Sequence, residues 1–381
     1  SLYNPRPHRN PVGVKNRRNV VLGQMKKYNY LDEVLIDSLK QQPLNLNYTP
    51  ESHREGLATY FREFLRAHMK TWINDDNNRK PDGSKYNLNT DGLRIYTTIN
   101  YSMQEMAENA VTSHMPRLQK EFFEQNETLD DSIAPFRELT SGAVDTLLRV
   151  SMRRSERWRK MKYDLKKNDE EIEESFYIPK EMTVFSWTGE IDTTMTPLDS
   201  MKYYKSFFRP GMMSMDPTNG YIKAWVGGMN YRHFQYDMVK KGKRQIGSTF
   251  KPFVYAAAID QLKLSPCDTF PDSQFCIEKN KFGNVEQWCP KNSGDKYGRT
   301  RTLKNALANS VNTVTARLMD RIGPRTVVKL AKDLGIEQRI LPVPSIALGT
   351  PDLSVYEMVA AYSTCLLYTS GAADEVAGGG V

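Results

Sequence analysis

The part of the sequence that most restricts the fold is a turn segment between two strand-like runs. Residues 216–220 read Asp-Pro-Thr-Asn-Gly and separate the apolar runs at 211–215 and 221–228. Gly220 can adopt a positive φ without a steric penalty, as the tight turns of hairpins often require. The segment therefore predicts an antiparallel β-hairpin.

Helix-forming sequence follows this hairpin. An apolar run beginning near Thr249 predicts one helix, and the segments at 302–309 and 313–323 predict two more. Strands followed by a block of helices indicate an α+β domain in which a sheet is backed by helices.

Before the hairpin, the sequence is mainly helical in character. Apolar residues recur at spacings of three and four over 17–41, 57–73 and 101–123, which predicts helices. The alternating segment 92–100 predicts a strand. The charged region from about 121 to 197 is predicted to be helical, and its lack of a catalytic constellation is typical of a connecting region.

The composition is that of a globular protein with excess positive charge. Of the 381 residues, 39% are hydrophobic and the formal net charge is +8, so disorder throughout the chain is excluded. The positive charge gathers in 4–19 and 152–167, which fits phosphate-bearing partners or, more simply, solvated helical faces. The sequence contains no run of about 18 apolar residues and no signal peptide. It begins without Met, and it is interpreted as a fragment.

The four cysteines are Cys267, Cys276, Cys289 and Cys365. They form no Cys-x-x-Cys pair and have no His at ligand spacing, so zinc is not predicted. Cys276 and Cys289 flank a hairpin-like loop whose ends could meet. A disulfide there would fit an oxidising compartment, but the sequence leaves the bonded and the free state open.

A Ser-x-x-Lys pattern stands at the start of the helix after the hairpin. Because Pro252 has no N–H to donate, it is tolerated only in the first turn, which places the helix start near Ser248 or Thr249. There the Ser248 hydroxyl lies at the positive end of the helix dipole, with Lys251 one turn away. Plain capping by Ser248 or Thr249 is the alternative that this segment by itself favours.

Lys251 is the candidate general base for this hydroxyl. A partly buried amine near other cations loses its proton more easily, and Lys243 and Arg244 are close in sequence. The same spacing recurs at Ser293 and Lys296, but those residues lie among Asn, Gly and Asp with no helix to fix them. The spacing alone is therefore a weak signal.

A second polar motif, Ser310 and Asn312 on either side of Val311, lies at the junction of two predicted helices. Either polar residue could simply cap the second helix. In the functional interpretation, Ser310 relays a proton between Lys251 and a leaving group, and the Asn312 amide binds the substrate backbone. A Ser-x-Asn downstream of a Ser-x-x-Lys matches two of the three motifs of β-lactamases and penicillin-binding proteins.

Together these segments resemble the transpeptidase domain of class A penicillin-binding proteins. The resemblance includes the hairpin, both motifs and the segment 348–364. Residues 3–25 resemble the end of the peptidoglycan glycosyltransferase domain, and 91–111 are similar to the segment that joins the two domains. Residues 184–200 look most like Bacteroidetes-type members.

The resemblance implies a penicillin-binding/β-lactamase-like α+β transpeptidase domain, with an incomplete sheet backed by helices, preceded by a mostly helical connecting region. The implied divisions are a glycosyltransferase remnant at 1–45, a connecting region at 46–204, a partial transpeptidase domain at 205–364 and an atypical, non-native tail at 365–381.

The resemblance also implies an enzyme on the periplasmic side of the inner membrane, anchored there in the full-length protein only. Ser248 would attack the D-Ala-D-Ala of a peptidoglycan stem peptide and pass the acyl group to a neighbouring amine, with Lys251 as general base. Ser310 would be the relay and Asn312 a substrate contact. β-Lactam antibiotics would acylate Ser248, and the cell-wall synthesis machinery would supply partners. No metal, organic cofactor or nucleic acid is implied.

Two departures from the family pattern limit this interpretation. No Lys-Thr-Gly or Lys-Ser-Gly occurs, and Tyr368 precedes the Thr-Ser-Gly at 369–371. The missing motif would supply an oxyanion donor and the Lys that binds the substrate carboxylate, so little or no catalysis by this chain is expected. Residues 365–381 are interpreted as foreign or erroneous sequence. The glycosyltransferase carboxylates and the membrane helix would precede Ser1.

Three other functions are alternatives to the transpeptidase interpretation. A serine carboxypeptidase or β-lactamase would deacylate with water, but no added carboxylate motif that would position that water is found. A non-catalytic β-lactam sensor or cell-wall scaffold would keep Ser248 without turnover. Nucleic-acid binding through the basic clusters would need interleaved aromatic residues or a recognised module, and neither is found.

Overall fold

The structure is a computed structural model, and it describes residues 11–44, 54–126, 136 and 139–364. The atypical tail predicted at 365–381 lies outside these residues. Within them, no helix combines the length and the apolar character needed to cross a bilayer.

The chain divides into two compact units, Ser1–Gly56 and Leu57–Val381. The first contains helices α1 (Pro11–Lys27) and α2 (Glu33–Gln41), which pack against each other with Ile36 buried. They confirm the helical structure predicted over this part of the chain.

The second unit mixes helices with short strands. Its helices are α3 (Thr59–Trp72), α4 (Tyr101–Asn126), α5 (Ser141–Arg154), α6 (Glu156–Arg159), α7 (Asp169–Glu174), α8 (Pro197–Lys205), α9 (Lys251–Leu262), α10 (Leu303–Ala308), α11 (Asn312–Ile322), α12 (Pro324–Asp333) and α13 (Val355–Thr364). Its strands are β1 (Lys180–Ser186), β2 (Gly189–Met195), β3 (Met212–Met215), β4 (Ile222–Val226), β5 (Lys243–Gln245), β6 (Thr269–Pro271), β7 (Thr300–Thr302) and β8 (Asp352–Ser354). Single 3₁₀ turns occur at Ser175–Tyr177, Gly247–Phe250, Ser293–Asp295 and Pro344–Leu348, and a π-helical turn at Lys160–Asp164.

The strands form antiparallel pairs, β1 with β2, β3 with β4, β5 with β8 and β6 with β7. The β3–β4 pair is the predicted hairpin. Asp216 N donates to Tyr221 O at 2.9 Å across its turn, and Gly220 has a φ of +72°. The α+β class predicted from the sequence is confirmed, with small sheets and a larger set of helices.

The strand predicted over 92–100 is wrong, because this segment has no regular structure. It does run beside β4: Asn100 N donates to Lys223 O at 2.9 Å and Thr98 Oγ1 to Ile222 O at 2.8 Å. A side-chain hydroxyl therefore bonds the Ile222 carbonyl where a ladder would use a backbone N–H.

The helical prediction for 121–197 is only partly correct. Helices α5 to α7 confirm it, but β1 and β2 form a hairpin that the sequence analysis missed. Gly189, with a φ of +122°, begins β2 directly after the turn. The basic cluster at 152–167 buries Met152 and Trp158 and exposes most of its Arg and Lys residues, as expected of a solvated helical face.

The core beneath the motifs packs α9 against α11 and α12. Val254 and Ala258 of α9 and Val314 and Leu318 of α11 are fully buried. A buried Val or Leu contributes roughly 1.5–3 kcal/mol. This packing fixes α9 and α11 relative to each other, and with them the residues at their first turns.

The loop between β6 and β7 is closed by a disulfide between Cys276 and Cys289. Next to it, Ile277 and Trp288 exchange backbone hydrogen bonds of 2.9 Å. Of the two states that the sequence left open, the structure has the bonded one. Cys267 is exposed and free.

Candidate active site

Ser248 lies in the 3₁₀ turn Gly247–Phe250, which runs directly into α9. Its side chain is exposed, and its Oγ has no hydrogen bond among the described residues. Thr249 Oγ1 donates to Ile246 O at 2.6 Å, and the N-cap position of α9 is Phe250, without a side-chain cap. Neither hydroxyl caps the helix, so the capping alternative is not what the structure shows.

The backbone at residues 349–351 is hydrogen-bonded to the turn that contains Ser248. Gly247 N donates to Gly349 O at 2.9 Å and Ile246 N to Pro351 O at 3.2 Å, and β5 pairs with β8 next to these bonds. Gly349 has a φ of +74°, and a Cβ at this position would overlap the Gly247 carbonyl. Only glycine permits this approach of the two backbones.

Lys251 is the first residue of α9 and is 1% exposed. Its Nζ donates to Ser310 O at 2.6 Å, to Ser310 Oγ at 3.0 Å and to Asn312 Oδ1 at 2.6 Å. An ammonium has three donors, so all three are used. No ion pair to Lys251 occurs in the described part of the chain.

Burial lowers the pKa of Lys251 from 10.5 to about 8, because desolvation disfavours the charged form. The predicted contribution of Lys243 and Arg244 is wrong. Both are exposed; Lys243 bonds Gln338, and Arg244 bonds the Lys243 carbonyl. A base with a pKa near 8 is partly neutral at physiological pH, as general-base catalysis requires.

Ser310 adopts the left-handed region, with a φ of +52°. Its N–H donates to Leu307 O at 3.0 Å, at the end of α10. This conformation costs a non-glycine residue about 1–2 kcal/mol. In this conformation, the carbonyl and the hydroxyl of Ser310 both accept hydrogen bonds from Lys251.

Asn312 begins α11, after Val311 at the N-cap position. Its Oδ1 accepts from Lys251, and its Nδ2 donates to Lys291 O at 2.7 Å. The N-cap residue offers no side-chain cap, so the capping alternative for this motif is not what the structure shows either. Because an amide group has two donors, one N–H of Asn312 remains for a further acceptor.

The second Ser-x-x-Lys pattern has no comparable setting. Ser293 lies in a single 3₁₀ turn that contains Gly294 at a φ of +66°, and Ser293 and Lys296 are both exposed. This confirms the prediction that no helix fixes the pair.

An open cavity of about 550 Å³ adjoins the Ser248 turn. Two of the residues that line the cavity are joined by a hydrogen bond, in which Tyr362 OH donates to Thr249 O at 2.5 Å. The cavity is lined by Pro217, Thr249, Met358, Val359, Tyr362 and Ser363. Most of these side chains are apolar.

Of the predicted site residues, the structure gathers Lys251, Ser310 and Asn312 into one hydrogen-bonded cluster, with Ser248 in the turn that precedes Lys251. Sequence reasoning missed Gly349 and also Asn292, whose Oδ1 accepts from Asn312 N at 3.0 Å. The Leu-Gly-Thr-Pro sequence around Gly349 carried a turn signal, whereas nothing local pointed to Asn292. Among the described residues, no group of three or more His, Cys, Asp or Glu could hold a metal ion.

Two protein-family models match the second unit. Residues 131–208 match the penicillin-binding protein middle domain, and residues 210–352 match the penicillin-binding protein transpeptidase domain. Together they cover more than half of the chain, and the second contains the whole hydrogen-bonded cluster.

Curated relatives extend the similarity to nearly the whole chain. Penicillin-binding protein 1A of Aquifex aeolicus is 25% identical over 380 residues, which cover 94% of this chain and 46% of the relative. Penicillin-binding protein 1A of Haemophilus influenzae is 24% identical over 375 residues, with 92% and 41% covered. The chain thus spans less than half the length of these relatives.

A solved structure shares the fold. The crystal structure of penicillin-binding protein 1A from Haemophilus influenzae superposes with a TM-score of 0.58 at 20% identity, covering 95% of this chain and 53% of that one. With the middle and transpeptidase domains matched in order and the 1A relatives aligned along nearly its full length, the chain belongs to the class A penicillin-binding protein family.

Proposed function

We propose that the chain carries the acyl-serine site of a peptidoglycan D,D-transpeptidase, with Ser248 as the nucleophile. One observation carries the proposal: a buried lysine, Lys251, follows the exposed Ser248 by one helical turn and is held by Ser310 and Asn312. A serine that is followed one helical turn later by an amine of lowered pKa has a candidate base close to it in the chain, and serine nucleophiles require such a base.

The proposed reaction gives each of these groups a role. Ser248 Oγ bonds to the carbonyl carbon of the penultimate D-Ala of a stem peptide, and its proton passes to neutral Lys251. The C–N bond to the terminal D-Ala then breaks as Ser310 donates its proton to the leaving nitrogen and receives one from Lys251. An amine of a second stem peptide attacks the acyl group and loses a proton to Lys251, which returns it to Ser248 Oγ as the ester bond breaks. Asn312 donates its remaining N–H to the substrate backbone, and the Ser248 N–H supplies half of an oxyanion hole.

The hydrogen bonds of Lys251 support Ser310 as the relay. A neutral amine has two N–H donors and one lone pair, so it cannot keep all three of its present acceptors. Ser310 O and Asn312 Oδ1 can only accept, whereas the Ser310 hydroxyl can turn and donate to the amine. Ser310 is therefore the partner that serves both protonation states of Lys251.

The chain by itself is expected to react slowly. Residues 1–381 contain no Lys-Thr-Gly or Lys-Ser-Gly, and losing one oxyanion donor typically costs about 10²–10³-fold in turnover. We therefore expect slow acylation and negligible transpeptidation.

The wider setting of the protein belongs to the same proposal. We expect stem peptides and β-lactams as ligands, partners in the cell-wall synthesis machinery, and a location on the periplasmic side of the inner membrane. The Cys276–Cys289 disulfide supports an oxidising compartment. The divisions at 45, 204 and 364, and the likeness to Bacteroidetes-type members, remain predictions.

A fluorescent penicillin tests the nucleophile. The chain, Ser248→Ala and Ser293→Ala would be incubated with the probe for a long period and separated on a denaturing gel. The Ser293 variant is the matched control, since it removes the serine of the second Ser-x-x-Lys. We expect covalent signal in the chain and in Ser293→Ala and none in Ser248→Ala. Signal that survives in Ser248→Ala, or its absence from the unaltered chain, would refute the proposal.

A further inference from the structure

The start of α11 is capped by a side chain from a distant loop. Asn292 Oδ1 accepts from Asn312 N at 3.0 Å and from Thr313 N at 3.1 Å. The N-cap residue itself, Val311, has an apolar side chain and offers no such bond. Two of the helix N–H groups that lack intrahelical partners are thus satisfied from 20 and 21 residues away.

Asn292 is in turn fixed by a buried carboxylate. Its Nδ2 donates to Asp272 Oδ1 at 2.7 Å and to Lys296 O at 3.0 Å. Asp272 is 0% exposed. It accepts three further bonds, from Thr313 Oγ1 at 2.8 Å, Gly298 N at 3.0 Å and Arg301 Nε at 2.6 Å. A buried carboxylate with this many partners is a rigid anchor, because breaking one bond leaves a desolvated group unsatisfied.

The same loop also holds the side chain of Asn312. The Asn312 Nδ2 donates to the carbonyl of Lys291, the neighbour of Asn292, at 2.7 Å. Residues 291 and 292 therefore fix the backbone N–H and the side-chain amide of Asn312 together. With its Nδ2 fixed in this way, the amide directs Oδ1 to the Lys251 ammonium at 2.6 Å.

We propose that Asn292, anchored by Asp272, is a positioning residue that holds Asn312 in contact with Lys251. It touches neither substrate nor nucleophile and acts through Asn312. The inference rests on the proposed function only where it takes Lys251 to be the general base.

Charged groups around Lys251 do not account for its lowered pKa. Burial is the cause of its lowered pKa. Several charged side chains of the loop and of the helices packed on α9 have other contacts: Asp272 with Arg301, Lys291 with Asp295, Asp320 with Lys281, Lys329 with Asp333, Arg317 over Phe275 and Arg321 over Phe270. The neutral oxygen of Asn312 stabilises the ammonium and so opposes the effect of burial.

The test is an NMR titration of the Lys251 side chain in the whole chain with ¹³C-labelled lysine. The Lys251 signal is assigned by its loss in Lys251→Met. In the unaltered chain the midpoint should lie near pH 8. In Asn292→Ala it should fall by about one unit, since a bond to a charged group is worth roughly that much. Asn309→Ala is the control. Asn309 precedes Ser310, but its exposed side chain donates to Asn305 O at 2.9 Å and makes no bond to Lys251 or Asn312 among the described residues. The Asn309→Ala midpoint should therefore not move.

Asn292→Ser is a milder variant that keeps a polar side chain. Its hydroxyl can still donate to Asp272, but it lies closer to the backbone than the amide oxygen and no longer reaches both N–H groups of α11, so its midpoint should also fall below that of the unaltered chain. A midpoint within error of the control in either variant would overturn the proposal. If Asn292→Ala does not fold, Asn292→Ser alone decides. No acylation is measured, so a failure of Ser248 as nucleophile would leave this result unchanged.

Discussion

Lys251 is a buried cation with three hydrogen-bond acceptors and no counter-ion among the described residues. Desolvation favours its neutral form, and the oxygens of Ser310 and Asn312 favour the ammonium. Since the pKa falls from 10.5 to about 8, desolvation is the larger of the two effects. The amine therefore changes protonation state in a range where it can take a proton from a serine.

The pH dependence of acylation follows from this pKa. The rate of β-lactam acylation should rise with pH, reach half its maximum near pH 8 and level off above it, because only neutral Lys251 accepts a proton. Lys243→Ala, which removes an exposed cation, should leave the midpoint in place. Rates measured by intact mass over a pH series check both. A midpoint near 10.5, the ordinary pKa of lysine, would contradict a base whose pKa is lowered by burial.

The strained conformation of Ser310 gives a paired prediction on stability. Ser310→Ala and Ser310→Gly both remove the hydroxyl and should both slow acylation. Only the glycine variant also relieves the cost of the φ of +52°, about 1–2 kcal/mol, so it should be more stable than the alanine variant. Urea unfolding of the two variants gives the difference. Equal stabilities would contradict a strained Ser310.

At the residue scale, the sequence identified the motif residues but not the residues that hold them in place. Spacing and a family resemblance selected Ser248, Lys251, Ser310 and Asn312 as candidate site residues, and the structure joins the last three by hydrogen bonds. Asn292 caps a helix 20 residues away, and no local pattern encodes such a contact. The expected help from Lys243 and Arg244 failed because closeness in sequence does not fix where long side chains point.

Among the elements, the 3₁₀ turn before α9 depends on a neighbouring backbone. Gly247 and Gly349 are joined by a hydrogen bond of 2.9 Å, and β5 and β8 pair beside them. The turn that carries Ser248 is therefore fixed by the segment between α12 and α13 as well as by its own helix.

Gly349→Ala should disturb this turn. The new Cβ would overlap the Gly247 carbonyl, so the backbone next to Ser248 must shift. Gly335→Ala is the matched control: its φ is +89°, with nothing within 4 Å of the added Cβ. Both variants carry the positive-φ cost of about 1–2 kcal/mol. Only Gly349→Ala should lose more than this in unfolding experiments and also slow acylation; equal losses with unchanged acylation would argue against the contact.

Elements with strong local signals were predicted correctly. The turn at 216–220 fixed the β3–β4 hairpin, and apolar spacing identified the helices from α9 to α11. The segment 92–100 alternates like a strand, yet it forms no ladder because its hydrogen bonds to β4 involve a side chain. The β1–β2 hairpin was missed because charged sequence on either side obscured a short alternating run.

On the scale of the whole molecule, the loop that supplies Asn292 is closed by the Cys276–Cys289 disulfide. Replacing both cysteines by Ser should lower the free energy of unfolding by about 3 kcal/mol, the value expected for a loop of this length. Cys267→Ser, at an exposed free thiol, should have no measurable effect. Chemical unfolding with and without reductant provides the comparison. An unaltered chain indifferent to reductant would contradict a stabilising role.

The family resemblance identified from the sequence is confirmed along the middle and transpeptidase domains. The proposed site depends on contacts that no single segment contains, since the cluster joins the first turn of α9, the start of α11 and the loop before β7. Composition and periodicity describe segments one at a time. The assembly of the site is therefore seen only in the folded chain.

Mapping the acylated residue tests the central claim most directly. The chain would be treated with a β-lactam, digested and sequenced by tandem mass spectrometry. The adduct is predicted on Ser248 and on no other residue, and Lys251→Met should reduce its yield sharply. An adduct on Thr249, on Ser293 or on a lysine, with Ser248 unmodified, would contradict the assignment of Ser248 as the nucleophile.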